Sequence, residues 1–305
     1  MEDVRFNFVK QDIKRAEKIA APNYSYWQAV STQFFSKKGM PFLLFLVTVI
    51  TVMAFIQPRI SGYDPRLVPN INDPSLRFQG ISFQNPFGTD DVGNSVWDVV
   101  WAGTKTSLIV GFTVTVINLT IGIVVGAVWG FSKRMDIVML EIFNVLTSVP
   151  DILIVTVLMY AFGAGFWQLI LAMCLTGWLS TAYFIRTQVM MIRDREYNLV
   201  SRCLGTPSVR LITRNILPYL ISVIVTISAN QIPAAISTEV MLSFLGIGLG
   251  VDTPSLGRMI SKYSNYFTGY PHLFWAPVLM LAIVTVSLYV MGQALADASD
   301  PKKHR

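Results

Sequence analysis

Charge is what this sequence has least of: 14% of its 305 residues are Asp, Glu, Lys or Arg, against about 25% in an ordinary soluble domain. Water is therefore not the solvent of most of the chain. Histidine and cysteine are scarce as well, with two of each. Cys174 lies in a hydrophobic run and Cys203 in a basic one, a pattern that gives neither a disulfide framework nor a metal site, and His272 and His304 form no cluster. No G-x-x-x-x-G-K-[ST] run is present, so the chain lacks the backbone cradle that holds nucleotide phosphates. G-x-S-x-G and H-E-x-x-H are also missing, which leaves hydrolysis without a nucleophile or a zinc site. There is no internal repeat and no low-complexity tract. A secretory signal would place its apolar stretch near the start and follow it with a small-residue cleavage site. Here the first apolar run begins only at Pro41, so Phe42 to Ile56 reads as a retained helix.

What the chain does have is long apolar runs, with 53% hydrophobic residues. A helix rising 1.5 Å per residue crosses a hydrocarbon core of about 30 Å in roughly 20 residues. Spans are expected at 41–57, 107–131, 138–161, 166–190, 216–238 and 273–294. The fold class is thus an all-α integral membrane protein with about six transmembrane helices. Asn230, Gln231 and Pro233 predict an interruption in the fifth.

Orientation follows from Lys and Arg in the connections. If six spans alternate, 18 of the 24 basic residues share one side. They include Arg5 to Lys38 before the first span, Lys133 and Arg134, six arginines from Arg186 to Arg214, and Lys302, Lys303 and Arg305. Both termini are then cytoplasmic, with 1–40 an N-terminal segment and 295–305 a tail. The net charge of +6 is explained by this bias, without nucleic acid. The segments 58–106 and 239–272 face outward and are long enough to dock another molecule. Asp90-Asp91 reads as turn chemistry.

Arg193–Pro218 (RDREYNLVSRCLGTPSVRLITRNILP) is the most informative stretch. It has the pattern of two short amphipathic helices joined by a break. Tyr197, Val200 and Leu204 recur at helical spacing, while Arg193, Glu196 and Arg202 tend to other faces. Gly205 suits a left-handed helix end, Thr206 an N-cap, and Pro207 a first helical position. Val209, Ile212 and Ile216 then form a stripe, and Arg210 and Arg214 a second one. Periodicity alone fits equally an interfacial helix pair lying on anionic lipid and an element that docks a partner.

The same stretch resembles the cytoplasmic EAA loop of permeases from binding-protein-dependent ABC importers. In that loop a glycine is followed by Leu-Pro twelve and thirteen residues later, and Gly205, Leu217 and Pro218 keep that spacing. Leu199, Val200 and Ser201 stand where Glu-Ala-Ala is usual. Phe87-Gly88-Thr89-Asp90 resembles the FGTD of the peptide and nickel branch, and Arg193 to Tyr197 its LREREY stretch. Leu242 to Gly246 resembles its LSFLG, and Leu295 to Pro301 its LRDALDP ending. Within the branch the chain is similar to C-type permease subunits of oligopeptide importers, those of Gram-positive bacteria most closely. Asn94-Ser95 replaces the usual Arg-Asp. The resemblance implies a type I ABC importer transmembrane domain over 107–294. It implies an ATPase-coupling loop containing Arg193, Arg195, Glu196, Tyr197, Arg202, Gly205, Thr206, Pro207, Leu217 and Pro218. The partners it implies are a B-type permease subunit in a heterodimer, two ABC ATPases and an extracellular peptide-binding lipoprotein, all at the cell membrane with its lipid. The chain itself would bind no cofactor, ATP and Mg being held by the ATPases.

Polar residues inside spans invite a functional reading because they are costly there. Asn230, Gln231 and Glu239 are candidates for the pathway lining, although Glu239, near the outer end, also suits a water-facing position. Asn118 and Asn144 read as helix–helix hydrogen-bonding residues, and Gly122, Gly126 and Gly130 as a close-packing stripe. Rival readings are a membrane scaffold, which needs no ATPase-docking loop, and a secondary transporter, which usually carries inverted repeats and paired broken helices. Nickel and dipeptide import compete within the branch. The lack of a His or Cys cluster favours peptide.

Overall fold

The structure, a computed structural model, describes residues 25–66, 73–250 and 252–300. Long apolar runs fold as helices that satisfy their own backbone hydrogen bonds, and no strand forms among the described residues. The helices are α1 (Tyr26–Ser36), α2 (Met40–Ile60), α3 (Val96–Phe131), α4 (Lys133–Thr147), α5 (Asp151–Phe162), α6 (Phe166–Arg193), α7 (Glu196–Cys203), α8 (Ser208–Phe244), α9 (Leu256–Ser264) and α10 (Pro271–Ser299). Five of them (α2, α3, α6, α8 and α10) are long and apolar enough to cross a membrane. The expected third span is broken. α4 and α5 meet at 75° across Ser148–Pro150, because Pro150 removes a backbone donor and disfavours helix at the residue before it.

Every continuous span outruns its expected limits, since apolarity marks the membrane-embedded part and the helical hydrogen bonds continue beyond it. α3 begins at Val96, eleven residues before the expected start, so the 58–106 connection is shorter than the sequence suggests. α1 lies inside the segment 1–40, for which no helix is expected from the sequence. Its Tyr26 hydroxyl donates to the Ser299 carbonyl, and Lys37 just beyond it pairs with Asp297 at 2.7 Å. Arg5 to Lys18 and Lys302 to Arg305 lie outside the described residues.

α3 is the central helix, and its glycines show why. A Cβ at Gly122, Gly126 or Gly130 would strike Thr181, Ala182 or Arg186 of α6. The stripe lets two long helices meet backbone to backbone, as small-residue spacing predicts. The expected interruption at Pro233 does not occur: α8 is α-helical from Ile221 to Phe244. Pro233 leaves the Ala229 carbonyl without its helical donor, and Gly292 of α10 packs directly on that carbonyl. Irregularity falls earlier. Leu211–Ile216 forms a π segment in which the Leu217 amide donates to the Ile212 carbonyl at 2.9 Å. This wider turn carries the helix through Pro218, which thus lies inside a continuous helix and not at its entry.

The bundle has two ends. Residues 25–40, 131–136, 193–220 and 294–300 gather at one, and 58–66, 73–96, 162–166, 245–250 and 252–273 at the other.

Candidate functional site

At the basic end, α7 closes in a Schellman geometry built by one glycine. Gly205 sits at φ +82°, its amide donates to Arg202 at 2.9 Å, and the Thr206 amide donates to Ser201 at 3.1 Å. These two bonds satisfy carbonyls that a helix end otherwise strands. The next helix starts one residue later than expected: Pro207 is the N-cap, its carbonyl accepting from Leu211, and Thr206 is not the cap.

Several polar side chains of this loop find partners within the chain. Arg193 is buried and donates to the Gly130 carbonyl at 2.7 Å, tying α6 to the end of α3. Arg202 lies over the Phe131 ring at 4.5 Å, and Arg195 over Tyr219 at 5.3 Å, distances at which a cation is attracted to the ring face. Asn198, which sequence reasoning missed, is wholly buried. It donates to the Ile192 carbonyl at 3.0 Å and accepts from Asn215 at 3.3 Å, so it pins α7 to both neighbouring helices. Its only sequence signal is a polar residue one step from an apolar stripe. Arg186 makes a two-pronged pair with Asp136 and lies over Trp129 at 5.2 Å, fixing the α3–α4 turn beside the loop.

Apolar side chains of the loop face out. Leu204 is 81% exposed and Val209 73%, with Tyr197, Leu199 and Val200 beside them also exposed. Of the expected stripe Val209–Ile212–Ile216, the last two are buried in the bundle and Val209 is not. Glu196, Arg210 and Arg214 are exposed around this surface.

A second feature lies at mid-height. A cavity of about 260 Å³ is walled by Thr115 and Asn118 of α3, Asp151 of α5, Thr176 and Ser180 of α6, and Gln231 of α8. The three pathway candidates separate here. Gln231 lines the cavity and also donates to Thr181. Asn230 turns away, accepting from Gln293 of α10 at 2.8 Å. Glu239 is neither on the cavity nor water-facing. It is completely buried, accepting from Ser107 at 2.6 Å and Ser243 at 2.8 Å, and the Leu256 amide of α9 reaches Ser107 at 3.4 Å. A carboxylate here knots α3, α8 and α9 together. Asn118, expected at a helix contact, does press on Gly177 of α6 but also borders the cavity. Asn144 is exposed on α4.

The opposite end carries a clasp that sequence reasoning took for turn chemistry alone. Asp90 Oδ1 does accept from the Val92 and Asn94 amides, as an Asx turn would. Its Oδ2 also accepts from Lys262 at 3.2 Å and from the Tyr263 hydroxyl at 3.4 Å, both on α9. Asp91 pairs with Lys262 at 2.5 Å. Burial alone would lower the Lys262 ammonium, yet Asp90 and Asp91 hold it above its usual value. Burial, followed by Asp90, pushes Tyr63 up to about 12. Gly88 (φ +73°) is pressed between the Gln79 carbonyl and the His272 ring.

Comparison with known proteins gives a consistent picture. Residues 118–305 match the family of binding-protein-dependent transport system inner membrane components. The oligopeptide transport system permease protein AmiD of Streptococcus pneumoniae is 48% identical over 99% of this chain and 98% of its own length. The oligopeptide permease protein OppC of Bacillus subtilis is 33% identical over 94% of this chain and 93% of its own. The dipeptide permease protein DppC of the same species is 32% identical over 96% and 91%. Among solved structures, an inward-facing methionine ABC transporter, MetNI, shares the fold with TM-score 0.51 at 16% identity, covering 66% of this chain and 94% of the other.

Proposed function

The chain belongs to the family of binding-protein-dependent transport system inner membrane components, and on that premise we propose that it is one permease subunit of an ATP-driven importer of oligopeptides. The observation that carries the substrate class is the 48% identity to an oligopeptide permease protein along essentially the whole of both chains. The dipeptide relative at 32% supports the same chemistry with a shorter cargo.

In this reading the Arg193–Pro218 loop receives the movement of two cytoplasmic ATPases. Buried Arg193 and Asn198 anchor it, and its exposed Leu204 and Val209 offer an apolar surface that a partner can cover. A lone interfacial helix pair on lipid needs no such internal anchoring. The chain pairs with a second permease subunit, and the mid-height cavity becomes part of the pathway between them. An extracellular binding protein delivers cargo to the opposite end. The concentration of basic residues at the loop end puts that end, with both termini, in the cytoplasm. ATP and Mg stay on the ATPases.

The test is assembly followed by transport. Purified together with its ATPases and second permease subunit, the chain should support peptide uptake into proteoliposomes, and alone it should bind no ATP. A cysteine at Asn85 should react with an impermeant thiol reagent from outside the cell. Nucleotide binding by the isolated chain, or labelling at Asn85 only after permeabilisation, would overturn this reading.

A further inference from the structure

Asp151 falls inside the expected span 138–161, next to Pro150. The structure puts it at the 75° break between α4 and α5, as the first residue of α5. There it lines the cavity bordered by the middle portions of α3, α6 and α8. It is the sole charged residue in that lining, and among the described residues it has no hydrogen bond or ion pair. On the α3 wall, Thr115 Oγ1 and Asn118 Oδ1 are buried without a hydrogen-bond partner, Asn118 being 7% exposed. The cavity therefore has unused acceptors in its wall and one carboxylate, the exposed Asp151, at its opening, and no lysine, arginine or histidine lines it.

An ionisable group at membrane depth is expensive unless it has a use. The α5 N-terminus helps to keep Asp151 ionised, but a cation completes the site. Resting on the pathway reading above, we propose that Asp151 is the counter-charge for the ammonium group of a peptide crossing the membrane. The cavity receives the amino terminus of the cargo, and the carboxylate holds it while the rest of the chain follows. At about 260 Å³ the space is smaller than the roughly 300–1,000 Å³ that whole drug-sized ligands occupy. It suits the end of a peptide. The selectivity that results is for a free amine, independent of the side chains behind it.

The reconstituted complex, with its binding protein, is given a pentapeptide lacking Lys, Arg and His, once with a free amino terminus and once N-acetylated. Comparing each variant with the unmodified complex, peptide by peptide, cancels the binding protein's own preference. Asp151→Asn should lower uptake of the free-amine peptide at least tenfold, the effect expected even if the two charges stayed about 10 Å apart at an effective dielectric of about 20. Uptake of the acetylated peptide should be unchanged, and Asp151→Glu should restore the free-amine rate. A second reading needs no transport at all. With Cys174→Ala and Cys203→Ser as background, Ser180→Cys in the purified complex should react at least tenfold faster with a cationic than with an anionic methanethiosulfonate, because Asp151 attracts the one and repels the other. Asp151→Asn should erase that ratio, and the free-amine peptide should protect the thiol. Equal losses for both peptides, or a reagent ratio indifferent to Asp151, would overturn the proposal. Failure of the unmodified complex to take up either peptide would instead overturn the pathway reading beneath it.

Discussion

The connections at the two ends of the bundle use charge in opposite ways. In the clasp, Asp90 and Asp91 meet Lys262 across two segments, and Phe78 stacks on Tyr270 at 4.4 Å, so polar and aromatic groups alike close on themselves. In the Arg193–Pro218 loop Arg193 and Asn198 turn inward as anchors, while Tyr197, Leu199, Val200, Leu204 and Val209 are left in the open. The first arrangement holds α9 in place. The second is rigid behind and adhesive in front. Polarity of a loop does not tell the two apart. What separates them is which side chains find partners within the same chain.

Substitutions at the two ends should thus fail differently. The largest stability loss is expected for Asp90→Ala, which strips the Tyr263 hydroxyl and the Val92 and Asn94 amides of their acceptor and leaves Lys262 with Asp91 alone. About 3 kcal/mol is expected, the low end for a broken buried pair, because the Lys262 side chain stays 42% exposed. Thermal unfolding in detergent would register it as a clear downward shift. Gly88→Ala comes next. Left-handed backbone costs an L-residue roughly 1–2 kcal/mol, and here the added Cβ also meets the Gln79 carbonyl. Gly205 has nothing within 4 Å of that position, so Gly205→Ala should cost about 1 kcal/mol from backbone conformation alone. Gly205→Val should reach normal membrane levels yet lower peptide uptake, with ATPase activity less responsive to cargo. Equal melting shifts for the two alanine variants would erase the distinction between a packed clasp and an open loop.

Much of this architecture was legible in the sequence. Spacing located the spans, the glycine stripe between α3 and α6, and the left-handed turn at Gly205, because each is a local requirement of backbone or bilayer. Long-range pairings were not legible. Nothing near Asp90 points to Lys262, far along the chain, and nothing near Glu239 points to Ser107. The break at Pro150 was hidden by the apolar residues on either side, and Asp151 with it. Pro233 misled in the other direction: a neighbouring helix with Gly292 at the right height accommodates the freed carbonyl, so the helix stays whole.

The central claim is that the outward apolar face of the Arg193–Pro218 loop docks the ATPases. The most direct measurement is the amount of ATPase that co-purifies with Leu204→Glu/Val209→Glu, together with peptide-stimulated hydrolysis. Both side chains are exposed, so the substitutions should leave the chain's own melting temperature and membrane level unchanged. Charges in an apolar docking surface should lower ATPase recovery at least tenfold, the equivalent of about 1.4 kcal/mol. Full recovery of the ATPases and full stimulation by peptide would contradict the account.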